Sequence, residues 1–121
     1  MKMYKLSITE EFDAAHQLEL PYKSKCKNVH GHRWKVEVTV GSDKLNESGM
    51  VVDFSILKGH VRELIESFDH HFINDIIKQP TSENIAKFFY DDLKDHLADA
   101  GVKLLGIKIW ETPTSCCSYE L

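Results

Sequence analysis

The stretch HGHRWKVEVTV, His30 to Val40, reads as a β-strand, because Trp34, Val36, Val38 and Val40 alternate with Arg33, Lys35, Glu37 and Thr39. Side chains two apart on a strand share a face, so the apolar four form a buried side and the polar four an outer one. Extended backward in the same register, the strand puts His30 and His32 on the apolar side too. Such a strand needs a second layer to cover Trp34 and the valines, and polar partners for the imidazoles.

Upstream, Tyr4, Leu6, Ile8, Phe12 and Ala14 share even parity, with Lys5, Ser7, Thr9, Glu11 and Asp13 opposite, which predicts a first strand. Glu10 interrupts the apolar side, and a bulge is expected there. A loop containing Pro21 joins the two strands, and a polar turn region spans Gly41 to Gly49. Asp53 then reads as the N-cap of a helix whose inner face is Phe54, Leu57, Val61, Leu64, Ile65 and Phe68. Pro80 and Thr81 open a second helix, with Glu83 in its first turn, Ile85, Phe88, Phe89, Leu93 and Leu97 on one face, and Gly101 as its stop. Two strands, VKLLGIKIWE and CCSYEL, follow. The order is ββααββ, and the short connections predict an antiparallel sheet with both helices on one face, an α+β sandwich.

The chain's 121 residues suffice for one domain, 1–121, with a core of its own. Composition is that of an ordinary globular protein, 42% hydrophobic and 28% charged, and no apolar run is long enough for a membrane span. The opening MKMYKLSITEEF has no apolar segment ahead of a cleavage site, so the expected location is the cytoplasm. Three cysteines, two of them the adjacent Cys116 and Cys117, predict reduced thiols rather than a disulfide framework. A formal charge of −4 argues against nucleic acid as a partner, though a local patch can still hold a small anion.

Parity also locates candidate chemistry. If the first strand keeps its register past Glu10, His16 shares the inner face with Phe12 and Ala14 and joins His30 and His32 from the neighbouring strand. A single inward histidine is ordinarily a core residue with a backbone partner. A His-x-His pair with a third inward histidine points instead to zinc held by three nitrogens with an open fourth position, as in catalytic sites. Cys26 admits two readings: as a fourth ligand it makes a closed structural site, and as a free thiolate it is a base. Lys23, Lys25, Lys27 and Arg33 surround it with no acid between Pro21 and Val36, a pattern that favours thiolate but also suits a solvated loop. In FDHHFIN, Asp69 stands beside His70 and His71, where a carboxylate can fix an imidazole's tautomer. Glu111 has the parity of Leu105, Ile107 and Ile109, so it either meets a cation or ligand N–H inside or lies exposed at the strand end.

Together the motifs Cys26-x-x-x-His30-Gly31-His32, AAH ending at His16, DFSILK from Asp53, DHHFIN from Asp69, PTSENIAKF from Pro80 and WETPTS from Trp110 carry a resemblance over the whole chain. The chain resembles the 6-pyruvoyltetrahydropterin synthase family, most of all its bacterial branch, the 6-carboxy-5,6,7,8-tetrahydropterin synthases of the queuosine (7-deazaguanine) pathway. The resemblance implies a tunnelling fold, with trimers closing a barrel and two trimers stacking into a homo-hexamer with active sites at subunit interfaces. It implies zinc on His16, His30 and His32, Cys26 as the proton-abstracting thiolate, and Asp69 with His70 as a proton relay. Glu111 is implied to hold the pterin ring and to share in the relay. The implied substrate is 7,8-dihydroneopterin triphosphate, and the implied products are 6-carboxytetrahydropterin, acetaldehyde and triphosphate. Release of triphosphate to give 6-pyruvoyltetrahydropterin, and a non-catalytic zinc module, are the alternatives.

Overall fold

The computed structural model describes residues 2–121. Its elements are β1 (Tyr4–His16), β2 (His30–Ser42), α1 (Phe54–Glu66), α2 (Ser82–Asp99), β3 (Lys103–Thr112) and β4 (Ser115–Glu120), the expected ββααββ order. The four strands form one antiparallel sheet in sequence order, so β1 and β4 carry its open edges. Both helices cover one face, with α1 against β1 and α2 against β3 and β4.

Register explains the core. Pairing of Phe12 with Trp34, Ile8 with Val38 and Val36 with Ile109 stacks the inward residues of three strands, and all six are buried. Phe12 lies between Trp34 and Phe89, with ring centroids 6.3 and 6.0 Å away, and meets Phe68 edge-on at 5.9 Å. Each such fully buried large side chain stabilises the fold by roughly 1.5–3 kcal/mol. The indole N–H of Trp34 donates to the Ala14 carbonyl at 3.1 Å, tying β2 to β1 beside the histidines.

The helix ends follow from local chemistry. Asp53 Oδ1 accepts from the Ser55 amide at 2.8 Å and its hydroxyl at 2.7 Å, capping α1. Thr81 caps α2 through the Asn84 amide at 3.1 Å. Gly101, at φ +78°, lets the chain turn after α2 so that the Val102 amide reaches back to the Leu97 carbonyl.

Three expectations need correction. β1 runs through Glu10 without a bulge; Glu10 pairs with Val36, and its carboxylate accepts from Arg62 Nε of α1 at 2.9 Å. The bulges fall instead between Thr39 and Val40 and between Trp110 and Thr112. Phe54, expected on the inner face of α1, is half exposed, whereas Phe68 lies beyond the helix end and is fully buried.

Candidate metal centre and active site

Adjacent strands place the three histidines as parity predicts, with His16 directly across from His30 and Ala14 across from His32. His16 is 0% exposed, and the other two are half-buried at the rim. The His16 and His30 Nε2 atoms are 3.0 Å apart. The opposite nitrogens settle what that contact is. His16 Nδ1 meets the Pro80 carbonyl at 2.8 Å, and His30 Nδ1 meets the Asn28 carbonyl at 2.7 Å. A carbonyl only accepts, so both Nδ1 atoms carry the hydrogen and both neutral rings aim a lone pair at the same point. Two lone pairs at that separation repel unless a cation lies between them. A proton is a poor answer at His16, whose pKa is lowered first by burial and further by His30 and His32, against the raising influence of Pro80 and Glu111. His32 is lowered too, again chiefly by burial. The donor set, with carbonyls orienting two of three imidazoles, suits zinc.

Glu111 completes the cluster. The shift in β3–β4 pairing between Trp110 and Thr112 leaves Glu111 as the bulged residue, on the parity of the buried Ile107 and Ile109. Its Oε1 lies 3.4 Å from His16 Nε2 and 3.7 Å from His32 Nε2. His16, His30, His32 and Glu111 each bring a ligand atom within 4.8 Å of the others. A carboxylate therefore stands beside the three imidazoles, and Cys26 is not a member of the cluster.

Cys26 sits in a short 3-10 turn, Lys25–Lys27, capped by the Ser24 hydroxyl, which accepts the Cys26 amide at 3.1 Å. Its carbonyl accepts from the Leu18 amide at 2.8 Å, which draws the turn against the chain leaving β1. The thiol is free and half-buried, and Lys23, Lys25 and Lys27 around it are exposed. The same turn carries the Asn28 carbonyl that orients His30, so one loop supports both the metal cluster and the thiol.

Asp69 and His70 do pair, with Oδ2 3.1 Å from Nδ1, but outside the histidine cluster, in a segment that covers the edge of β1 from Asp13 to Ala15. There the Asp13 amide donates to Asp69 Oδ1 at 2.9 Å, the His70 amide donates to the Asp13 carbonyl at 2.6 Å, and the Ala15 amide donates to the His71 carbonyl at 3.2 Å. The amide of Asp13 first, then His70, holds the Asp69 carboxyl below its ordinary pKa. His70 takes φ +58°, the one positive φ outside glycine among the described residues. Asp13, Asp69 and His70 form a second cluster of close ligand atoms that shares no member with the first. Asp13 was not singled out from the sequence; its odd parity marked it only as solvent-facing.

The chain is 38% identical to a 6-carboxy-5,6,7,8-tetrahydropterin synthase of Aquifex aeolicus, over 98% of this chain and 90% of that protein. It is 40% identical to the protein of that name from Synechocystis, over 89% and 86%. A sequence model of the family described as 6-pyruvoyl tetrahydropterin synthase matches residues 5–121. The chain belongs to the 6-pyruvoyl tetrahydropterin synthase family. The fold agrees: the structure of Caenorhabditis elegans 6-pyruvoyl tetrahydropterin synthase superposes with TM-score 0.85 at 27% identity, covering 100% of this chain and 97% of that one. This family member is thus an enzyme of the lyase class. The 6-pyruvoyl tetrahydropterin synthase match reaches all six elements, from the second residue of β1 through β4. Among the described residues no helix is long and apolar enough to cross a membrane.

Proposed function

We propose that this chain, one family domain over residues 1–121, is a zinc-dependent carbon–carbon lyase of the cytoplasm. It converts 7,8-dihydroneopterin triphosphate and water to 6-carboxy-5,6,7,8-tetrahydropterin, acetaldehyde and triphosphate, within queuosine biosynthesis. The observation that carries the reading is the convergence of imidazole lone pairs from His16 and His30, with His32 and Glu111 beside them, in a chain whose relatives are named 6-carboxy-5,6,7,8-tetrahydropterin synthase.

His16, His30 and His32 hold the metal, which when bound supplies Lewis acidity toward the hydroxyl oxygens of the substrate's side chain. Cys26, as thiolate, removes the proton from the carbon bearing such a hydroxyl. Asp69 orients His70 through its Oδ2–Nδ1 contact, so the imidazole can deliver or accept the second proton; each positioned group of this kind contributes about 10²–10⁴-fold. Glu111 offers two oxygens to the ring N–H and amino groups of a pterin, a bidentate match that an amide lacks. Because the Asp69–His70 pair is exposed, it is available to a neighbouring copy. The edge of β4 and the stretch of β1 ahead of Asp13 support assembly by strand pairing into the hexamer of two stacked trimers.

Cys26→Ser tests the reading. Serine nearly keeps the shape but cannot supply a base near neutral pH. Zinc content and thermal midpoint should persist while turnover of dihydroneopterin triphosphate falls by ~10²-fold or more. Loss of zinc with a large drop in midpoint would establish Cys26 as a structural ligand instead. The likeness to the C. elegans protein favours a second reading, in which the same residues release triphosphate to form 6-pyruvoyltetrahydropterin.

A further inference from the structure

The second cluster contains more than a relay needs. Asp13, Asp69 and His70 bring two carboxylates and an imidazole within 4.8 Å of one another, a set that suits a divalent cation. A cation is already supplied by the chain. Arg33 Nη1 lies 3.0 Å from Asp13 Oδ2, and its Nε and Nη2 reach Glu11 Oε2 at 3.1 and 3.0 Å. Asp13 and Arg33 face each other across β1 and β2 in direct register, so the guanidinium is held there by the sheet. Asp69 is pinned separately, one oxygen on the Asp13 amide and the other on His70.

We propose that Arg33 and Asp13 are positioning residues for the Asp69–His70 pair, with Arg33 the fixed counter-ion of Asp13, so that Asp69 is the one carboxylate left to partner the imidazole. This rests on reading Asp69–His70 as the proton-transfer pair. The physical reason is charge balance. Unneutralised, Asp13 would add a second negative charge beside an imidazole that must give up its proton as well as take one, and would repel Asp69. The charged and titratable groups around His70 are Asp69 and His71 on its own segment, Glu11 and Asp13 on β1, and His32 and Arg33 on β2, where His32, Arg33, Asp13 and His71 line one open hollow with it. All but the Asp13–Arg33–Glu11 set lack a fixed guanidinium, so that set controls the local balance.

The test is the pH dependence of turnover by the zinc-loaded enzyme in Arg33→Gln, Asp13→Asn, the double variant and Arg33→Lys, with zinc content and thermal midpoint measured on each. Arg33→Gln removes a positive charge, which favours imidazolium and moves the limb that reports His70 to higher pH. Asp13→Asn removes a negative charge and moves it to lower pH. The double variant restores the balance and returns the limb to its original position, and Arg33→Lys, which keeps the charge, leaves it there. A purely structural role predicts no opposite shifts and no mutual rescue. An unmoved limb in Arg33→Gln, while His70→Ala abolishes turnover, overturns this inference alone. Full turnover in His70→Ala overturns the relay reading and this inference with it. A second zinc equivalent in the unaltered protein, lost in His70→Ala, overturns it as well, because the cluster would then be a cation site.

Discussion

Replacing His16 by alanine separates the two tasks of that side chain, closing the metal ring and satisfying the fold. Its ring is fully buried, packs edge-on against Trp34 at 4.9 Å between centroids, and donates from Nδ1 to the Pro80 carbonyl at 2.8 Å. Alanine leaves that carbonyl without a donor, a loss of about 1–3 kcal/mol. It also empties a ring-sized space, and large-to-small core substitutions cost about 2–5 kcal/mol. The two overlap at one site, so the metal-free variant should lose about 3–4 kcal/mol, roughly 10–20 °C in midpoint for a domain of this size. His30→Ala is the control: half-buried, with its Nδ1 on a carbonyl two residues away, it should cost only about 1 kcal/mol without metal. Both variants should lose zinc. Thermal unfolding of chelator-treated protein, with zinc stoichiometry on the untreated samples, reads both quantities. Equal metal-free midpoints would refute the buried-donor reasoning, and one tightly held zinc in His16→Ala would refute the ring.

Glu111→Gln should retain zinc and fold but weaken binding of a pterin analogue in a titration, since an amide offers one acceptor where the carboxylate offers two. Phe12→Ala, which strips the centre of the aromatic stack, should lower stability by about 3–5 kcal/mol in denaturant unfolding. The Asp53 cap gives a pH signature: its carboxyl is held below its ordinary pKa by Ser55, so its stabilisation is present above the usual carboxylate range and lost as pH falls through the lowered folded-state pKa. The midpoints of Asp53→Ala and the unaltered protein should therefore differ at neutral pH and converge in acid; a constant gap would remove the charge-based role.

The parts of the site legible in the sequence are those governed by strand parity. The alternation from Trp34 to Val40 carried back to His30 and His32, and the same rule turned His16 and Glu111 inward. Parity says which face a residue takes but not what reaches it from elsewhere. Glu10 looked like a break because its partner, Arg62, comes from α1, 52 positions away. Phe54 looked internal because helical spacing does not show where the covering layer ends. The bulge at Glu111 depends on β4 pairing, and the backbone clamp on Asp69–His70 depends on that segment folding along β1. Asp13 was unreadable for that reason: its amide and carbonyl, more than its side chain, hold the pair.

The reaction can be followed through its products. Zinc-loaded protein incubated with 7,8-dihydroneopterin triphosphate, with products resolved by mass spectrometry and aldehyde trapping, tests it most directly. The expected products are 6-carboxy-5,6,7,8-tetrahydropterin and acetaldehyde in equal amounts, dependent on zinc and abolished in His30→Ala. Formation of 6-pyruvoyltetrahydropterin without acetaldehyde, or recovery of unchanged substrate from fully zinc-loaded protein, would contradict it.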